Sequence, residues 1–365
     1  MCYYKSLAQK EAELLAHYDA SFQTITDELE PIKERFTILL QKDNNLGALT
    51  LNKADQIHNI LVAYSQKDAL PAAYTKQELS EMKWCLKTLS AFHDGGIYRY
   101  MENGFDYLPT PIITAGDPKN FKLFRWGLIP FYMNDKEKAM ILRTKTLNCI
   151  SEEMYNTQSF KDAAKNAQRC LIPVSGFYEW RWLDDEGTVK IPWYVTFRDR
   201  QIRSMAGLYS RWKDNETSEY YYSYTVLTTA ANEILEYVHN SKKRMPVFIA
   251  KENEQAWLNR DLTPKDVTEL CHPTEDPAMG AYTISKLLTT RNINTNVPEV
   301  RKPMNYQQAI DQANQYLQSG DKKKALEAFK NSISGEKIKI DDLVNVANQK
   351  ILAQLGAGIT TDILD

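Results

Sequence analysis

The chain has no CxxC pair, no long apolar run and no surplus of charge, and each absence removes a class of protein. Its five cysteines, at positions 2, 85, 149, 170 and 271, are odd in number and scattered. That pattern suits neither a disulfide framework nor a zinc site, so a reducing cytoplasm is the expected setting, with no metal and no cofactor. No window approaches the ~18 uninterrupted apolar residues that a membrane-spanning helix needs, so no membrane span is expected. The start reaches Lys5, Lys10 and Glu11 without an apolar stretch, so no secretory signal is expected either. Lys plus Arg total 45 against 47 Asp plus Glu, a net charge of −2. Global charge therefore gives no support for nucleic-acid binding, which would need a local basic surface.

What is present is ordinary and ample. The 365 residues are 43% hydrophobic and include 21 Tyr and 7 Trp, enough for a real core. The length allows two domains, or one domain with large additions. From residue 6 to about 40 the spacing of Ala8, Leu14, Tyr18 and Phe22, then Leu29, Ile32 and Phe36, predicts helix. From about 41 to 92 two more stripes recur, Ile57, Ile60, Leu61 and Tyr64, then Leu79, Met82, Leu86 and Leu89. The ordinary reading is that they bury on the body or on each other, and the alternative is a partner-binding surface.

Near Ile97 the texture changes to short runs rich in Tyr, Phe, Val, Thr and Trp. Pro111–Thr114, Trp193–Phe197, Met205–Tyr209, Tyr220–Leu227 and Pro246–Ile249 read as strands. Asp184-Asp185-Glu186-Gly187 is a hairpin turn signal. Helices are expected at about 157–167, 230–237 and 252–259. The fold class expected is α+β with a mostly antiparallel sheet. After Pro303 three helices are expected, one on Ile310, Ala313 and Leu317, one capped by Asp321 with Leu326, Phe329 and Ile333, and one with Val344, Ala347, Ile351 and Leu355.

Chemistry concentrates in a few places. Cys2 follows the first methionine, and loss of Met1 would leave a free α-amine beside a thiol. Such a 1,2-aminothiol condenses with an aldehyde to a Schiff base and closes to a thiazolidine, and an α-amino pKa of about 8 leaves some amine neutral. Taken alone, a small residue at position 2 is common. Glu179 in Ser175-Gly176-Phe177-Tyr178-Glu179-Trp180 sits between aromatics, where desolvation would raise its pKa for acid–base work, unless it faces solvent on an edge. His239 opens a loop with Lys242, Lys243 and Arg244 before Met245-Pro246, a phosphate-binding candidate or simply a solvated basic turn. Asn148 follows Arg143 and Lys145 in a basic region, and Trp126-Gly127-Leu128-Ile129-Pro130 is a rigid turn that could stack a base or lie in the core.

In their order these strings resemble one family: Met-Cys, WGLIP, an Asn148-Cys149-Ile150-Ser151-Glu152 segment, GFYEW, His239 with Arg244-Met245-Pro246, and NTNVPEV at 294–300. They are similar to the SOS response-associated peptidase (SRAP) family, whose members shield abasic sites in single-stranded DNA by crosslinking to them. The resemblance implies a barrel-like body over 1–303, with a helical insertion at about 41–92 and a helical extension over 304–365. It implies Cys2 as nucleophile, Asn148 orienting it, Glu179 moving protons and His239 as acid/base. It implies single-stranded DNA carrying abasic sites as partner, contacted by Lys5, Trp126, Gly127, Arg143, Lys145, Lys242, Lys243, Arg244 and Pro246. The family arginine is replaced by Ile150 and the usual Gly-Arg by Tyr3-Tyr4. Partners of the helical additions are not implied.

Two other classes remain open from sequence: a thiol peptidase or amidohydrolase using Cys2 with Glu179 and His239, and a non-catalytic interaction protein working through its helices.

Overall fold

The structure, a computed structural model, describes residues 2–66, 73–199, 201–275, 278–325 and 327. In chain order it runs β1 (Tyr4–Lys10), α1 (Glu11–Tyr18), α2 (Gln23–Leu40), α3 (Ala54–Gln66), α4 (Lys76–Leu89), β2 (Phe92–His93) and β3 (Gly96–Asn103). There follow β4 (Pro109–Thr114), β5 (Asp117–Trp126), α5 (Lys136–Leu142), β6 (Asn148–Ile150), α6 (Lys161–Lys165), β7 (Arg169–Val174) and β8 (Gly176–Trp182). Then come β9 (Lys190–Phe197), β10 (Arg203–Lys213), β11 (Tyr220–Ala230), α7 (Glu233–Val238), β12 (Arg244–Pro246) and β13 (Phe248–Ile249). The described part closes with α8 (Glu254–Leu258), α9 (Pro264–Glu269), β14 (Met279–Thr283) and α10 (Gln307–Gln318).

The strands make two sheets, and the α+β class read from the sequence holds. One sheet has the order β14-β9-β8-β1-β3-β2. In the other, β11, β5, β4, β7 and β10 follow one another and β10 pairs back on β11, closing a five-stranded barrel that also carries β6, β12 and β13. Most pairs are antiparallel, and β11 runs parallel to β5 and β6. Apolar residues of both sheets, among them Ile172, Phe177, Val195, Val226 and Cys2, form one buried cluster. A second cluster joins α1 to α4 to the barrel through Leu29, Phe36, Ile57, Leu61, Leu79 and Met82 with Ile113 and Phe121. The helical stripes thus bury on the body, the ordinary reading of the insertion.

One expected element is corrected. Residues 6–10 are strand rather than helix: β1 pairs with β3 from Tyr4↔Asn103 to Lys10↔Gly96, and with β8 through Tyr4↔Tyr178 and Ser6↔Gly176. Backbone pairing with β3 along the strand, and with β8 at its start, overrides a helical spacing that continues from α1, because each buried N–H and C=O must find a partner. Helix begins only at Glu11. The DDEG turn does join the antiparallel pair β8 and β9, with Val189 donating to Asp184 Oδ1.

Past residue 303, α10 forms as expected, and Asp321 Oδ1 accepts from Lys324 N at 3.0 Å, the capping contact of the next helix. Tyr306 and Ala325 bury in the cluster shared by the sheets. Leu326, Phe329 and Ile333, and the third expected helix, lie outside the described residues.

Candidate active site

β1 enters the structure between β3 and β8, which fixes where Cys2 must lie. Tyr4 opposes Tyr178 on β8, so the chain leads back from there along β8 past Glu179, whose charge acts on Cys2. The Cys2 side chain is buried, and its Sγ lies 3.5 Å from Tyr4 O. Three further residues, more than a hundred positions away, meet it there.

Asn148 opens β6, which runs parallel to β11 in the register Val226↔Asn148. Its Nδ2 donates to Cys2 O at 2.8 Å. Its Oδ1 is buried and accepts no hydrogen bond among the described residues. Glu179 is 4% exposed. Burial pushes its carboxyl up to about 7, against a smaller downward pull from the terminal ammonium. His239 ends α7 as its C-cap. Its Nδ1 is 2.8 Å from Arg244 O, and since a carbonyl only accepts, Nδ1 carries the proton. Asn240 staples this loop to β8, donating to Trp182 O and accepting from Trp182 N, each at 2.9 Å.

His239 Nε2 then stands 3.8 Å from Glu179 Oε2. Burial, with the terminal ammonium, lowers the imidazole to about 4. The carboxyl moves up and the imidazole down, so both are driven toward neutrality rather than toward an ion pair. Burial, reinforced by the Glu179 charge, also pushes the Cys2 thiol up. The site therefore holds a protonated thiol, a carboxyl titrating near neutrality and a neutral imidazole. That set can pass protons among themselves and a bound carbonyl compound. Among the described residues no cluster of His, Cys, Asp and Glu could hold a metal ion.

The expected nucleic-acid contacts divide. Lys145, Lys242 and Lys243 are exposed. Arg143 is half-buried, its guanidinium 3.7 Å from the Tyr107 ring centroid and its Nη1 donating to Tyr221 Oη at 2.9 Å. Arg244 forks onto Glu152 at 2.8 and 2.7 Å, which holds that carboxyl down to about 2.

The remaining four are buried, and a direct DNA contact does not fit them. Lys5 is 0% exposed and its Nζ donates to Glu102 Oε2 at 2.8 Å. Trp126 is a core residue whose Nε1 donates to Leu147 O at 2.6 Å, so it offers no face for a base. Gly127 turns at φ +104°, where a Cβ would meet Arg143 O at 2.7 Å, a backbone requirement for glycine. Pro246 is buried at the end of β12.

Two ring pairs beside Cys2 were not singled out from sequence: Tyr3 with the exposed Phe105 at 5.4 Å, and Tyr4 with Trp180 at 4.9 Å. The signal available was the pair Tyr3-Tyr4 itself, standing where the family has Gly-Arg.

Comparisons with known proteins agree with this architecture. The sequence model of the SOS response associated peptidase (SRAP) family matches residues 1–291. The abasic site processing protein YoqW of Bacillus subtilis (strain 168) is 33% identical over 190 residues, 52% of this chain and 79% of its own length. The abasic site processing protein HMCES of Xenopus tropicalis is 29% identical over 194 residues, 48% of this chain and 55% of its own length. A protein from Bacteroides thetaiotaomicron with a solved crystal structure matches at TM-score 0.60 and 25% identity, covering 83% of this chain and 100% of that one.

Proposed function

The chain belongs to the SOS response associated peptidase family, and from that premise we propose that it processes abasic sites in DNA by capturing them covalently at Cys2. The observation that carries the reading is the meeting of Asn148, Glu179 and His239 around a buried Cys2. The names of the relatives YoqW and HMCES support the substrate class.

Loss of Met1 frees the α-amine of Cys2. An abasic deoxyribose opens to an aldehyde, which that amine attacks to form the C–N bond of a carbinolamine. Loss of water gives the imine. The thiol then adds to the same carbon: the S–C bond forms, the thiol proton passes to nitrogen, and a thiazolidine closes with one water lost overall. Asn148 holds the Cys2 carbonyl, and its buried, unpartnered Oδ1 is available to accept from the Cys2 amine. Glu179, titrating near neutrality, accepts and returns the protons. Neutral His239, its Nε2 toward Glu179, serves the sugar ring oxygen and the reverse reaction. Single-stranded DNA suits the site, since the aldehyde must reach a buried residue, and Lys145, Lys242 and Lys243 are the exposed cations available for phosphates.

Thiol peptidase chemistry is the less favoured reading. It needs a thiolate, and here burial and Glu179 push the thiol up while burial pushes His239 down. The amine-first route needs no thiolate.

The test is to mix the purified protein with single-stranded DNA bearing one abasic site and look for a heat-stable adduct on a denaturing gel. A shifted band that is absent for Cys2→Ala is the expected result. No shift with the wild-type protein overturns the reading, and release of peptide or amide products favours the peptidase.

A further inference from the structure

A cavity of about 640 Å³ lies between α3, α4, β3 and the segment 288–296, and its lining includes none of Cys2, Asn148, Glu179 and His239. Its size falls within the roughly 300–1,000 Å³ of small-molecule sites. Much of its wall, Leu288–Asn296, runs into the start of the NTNVPEV string, Asn294-Thr295-Asn296, which the chemistry at Cys2 does not use.

Its charge is one-sided. Lys83, Lys87, Arg99 and Arg291 line it against a single carboxylate, Asp106. Lys87 pairs with Asp106 at 3.0 Å, and Arg99 with Glu102 at 3.1 Å. Lys83 and Arg291 have no ion pair among the described residues, and the groups acting on Lys83 are burial and the neighbouring Lys87, both unfavourable to its charge. Donors are left over as well. Nε and Nη2 of the buried Arg99 have no hydrogen-bond partner among the described residues, and neither has His58 Nε2, whose role follows its tautomer. Val62, Leu86 and Met101 supply an apolar wall, and Tyr4 an aromatic ring.

We propose that this cavity binds a phosphate-bearing nucleotide, with Lys83 and Arg291 taking the phosphate and the Tyr4, Val62, Leu86 and Met101 side taking the base. Excess cationic charge beside unpartnered buried donors selects an anion. An inorganic phosphate would leave most of the volume and all of the apolar wall unused. The nucleotide can be free, or it can be one residue of a bound strand. The shared Tyr4 ring packs on Trp180, next to Glu179, so the cavity adjoins the Cys2 site without including it.

Isothermal titration of the full chain with deoxyadenosine 5′-monophosphate, deoxyadenosine and inorganic phosphate tests this. The nucleotide should bind at least about tenfold more tightly than the nucleoside or phosphate alone. The double variant Lys83→Ala/Arg291→Ala should weaken it by about tenfold or more while leaving the thermal midpoint unchanged. Displacement by an undamaged single-stranded oligonucleotide assigns the site to a strand, and no displacement assigns it to free nucleotide. Equal affinity for nucleotide and nucleoside, no binding at millimolar concentration, or an unaffected double variant overturns the proposal. No abasic site is present in any arm, so the outcome is independent of the chemistry at Cys2.

Discussion

Nε2 of His239 lies 3.8 Å from Oε2 of Glu179, with both side chains buried. The separation is too long for a direct hydrogen bond and short enough for one reacting oxygen to touch both. Burial has moved the two groups in opposite senses, to about 7 for the carboxyl and about 4 for the imidazole. At neutral pH the carboxyl is thus the titrating member and the imidazole a neutral base.

Glu179→Gln should slow adduct formation by roughly 10²-fold or more, the scale of a lost proton-transfer group. The wild-type to variant rate ratio should rise with pH as Glu179 ionises near 7. Single-turnover gel assays across pH 5 to 9 measure it. A ratio flat with pH would remove Glu179 from the proton path.

The same substitution should stabilise the fold at high pH. The Glu179 carboxyl is raised from 4.5 to about 7, so the folded state holds the proton more tightly than the unfolded chain. Stability from this group is complete below pH 4.5 and is lost as pH rises to about 7. Glu179→Gln escapes that loss. Its advantage in denaturant melts should be absent at pH 4 and reach up to about 3 kcal/mol above pH 7.

Asn148→Ala removes the hydrogen bond to Cys2 O and should cost about 1 kcal/mol of stability. Adduct yield should fall further than the thermal shift explains, because the terminal residue is no longer oriented. An unchanged adduct rate in a destabilised variant would leave Asn148 a purely structural role.

Cys2→Ser keeps the amine and loses the sulfur. It should give an adduct trapped by borohydride as the reduced imine, but none that survives heating without reductant. A residue added before Cys2 should abolish both.

Lys5→Met should destabilise by about 3–5 kcal/mol, since it strips one cation from the buried carboxylate of Glu102. DNA affinity, measured where the variant is folded, should not change. Lys242→Ala, on an exposed side chain, should instead lower the slope of log affinity against log salt by about one if it meets a phosphate.

The strands around the barrel were legible because Tyr, Val, Thr and Phe runs between turns have few other ways to bury. The helical stripes of α3 and α4 were legible from their spacing. Ser6–Lys10 was misread because its apolar spacing continues that of α1, and only the distant pairing, with β3 from Leu7 to Lys10 and with β8 at Ser6, decides for strand. At the site, Cys2, Asn148, Glu179 and His239 were named in advance, but their convergence rests on the β1–β8 and β6–β11 registers, which no local pattern encodes. Lys5 and Trp126 were expected among the DNA contacts the resemblance implies, with a core place for Trp126 left open. Their burial follows from Glu102 and Leu147, partners 97 and 21 positions away. The aromatic pairs at Tyr3 and Tyr4 and the cavity under α3 and α4 arise only when separate segments meet.

β1 lies between two neighbours, paired along its length with β3 and at its start with β8. A force applied at Cys2 along the strand loads those hydrogen bonds together, in shear, instead of peeling them one at a time. Fraying of the chain end therefore does not unseat Cys2. It stays among Asn148, Glu179 and His239 until the central strand of the sheet is drawn out, so under load the site lasts as long as the folded body itself.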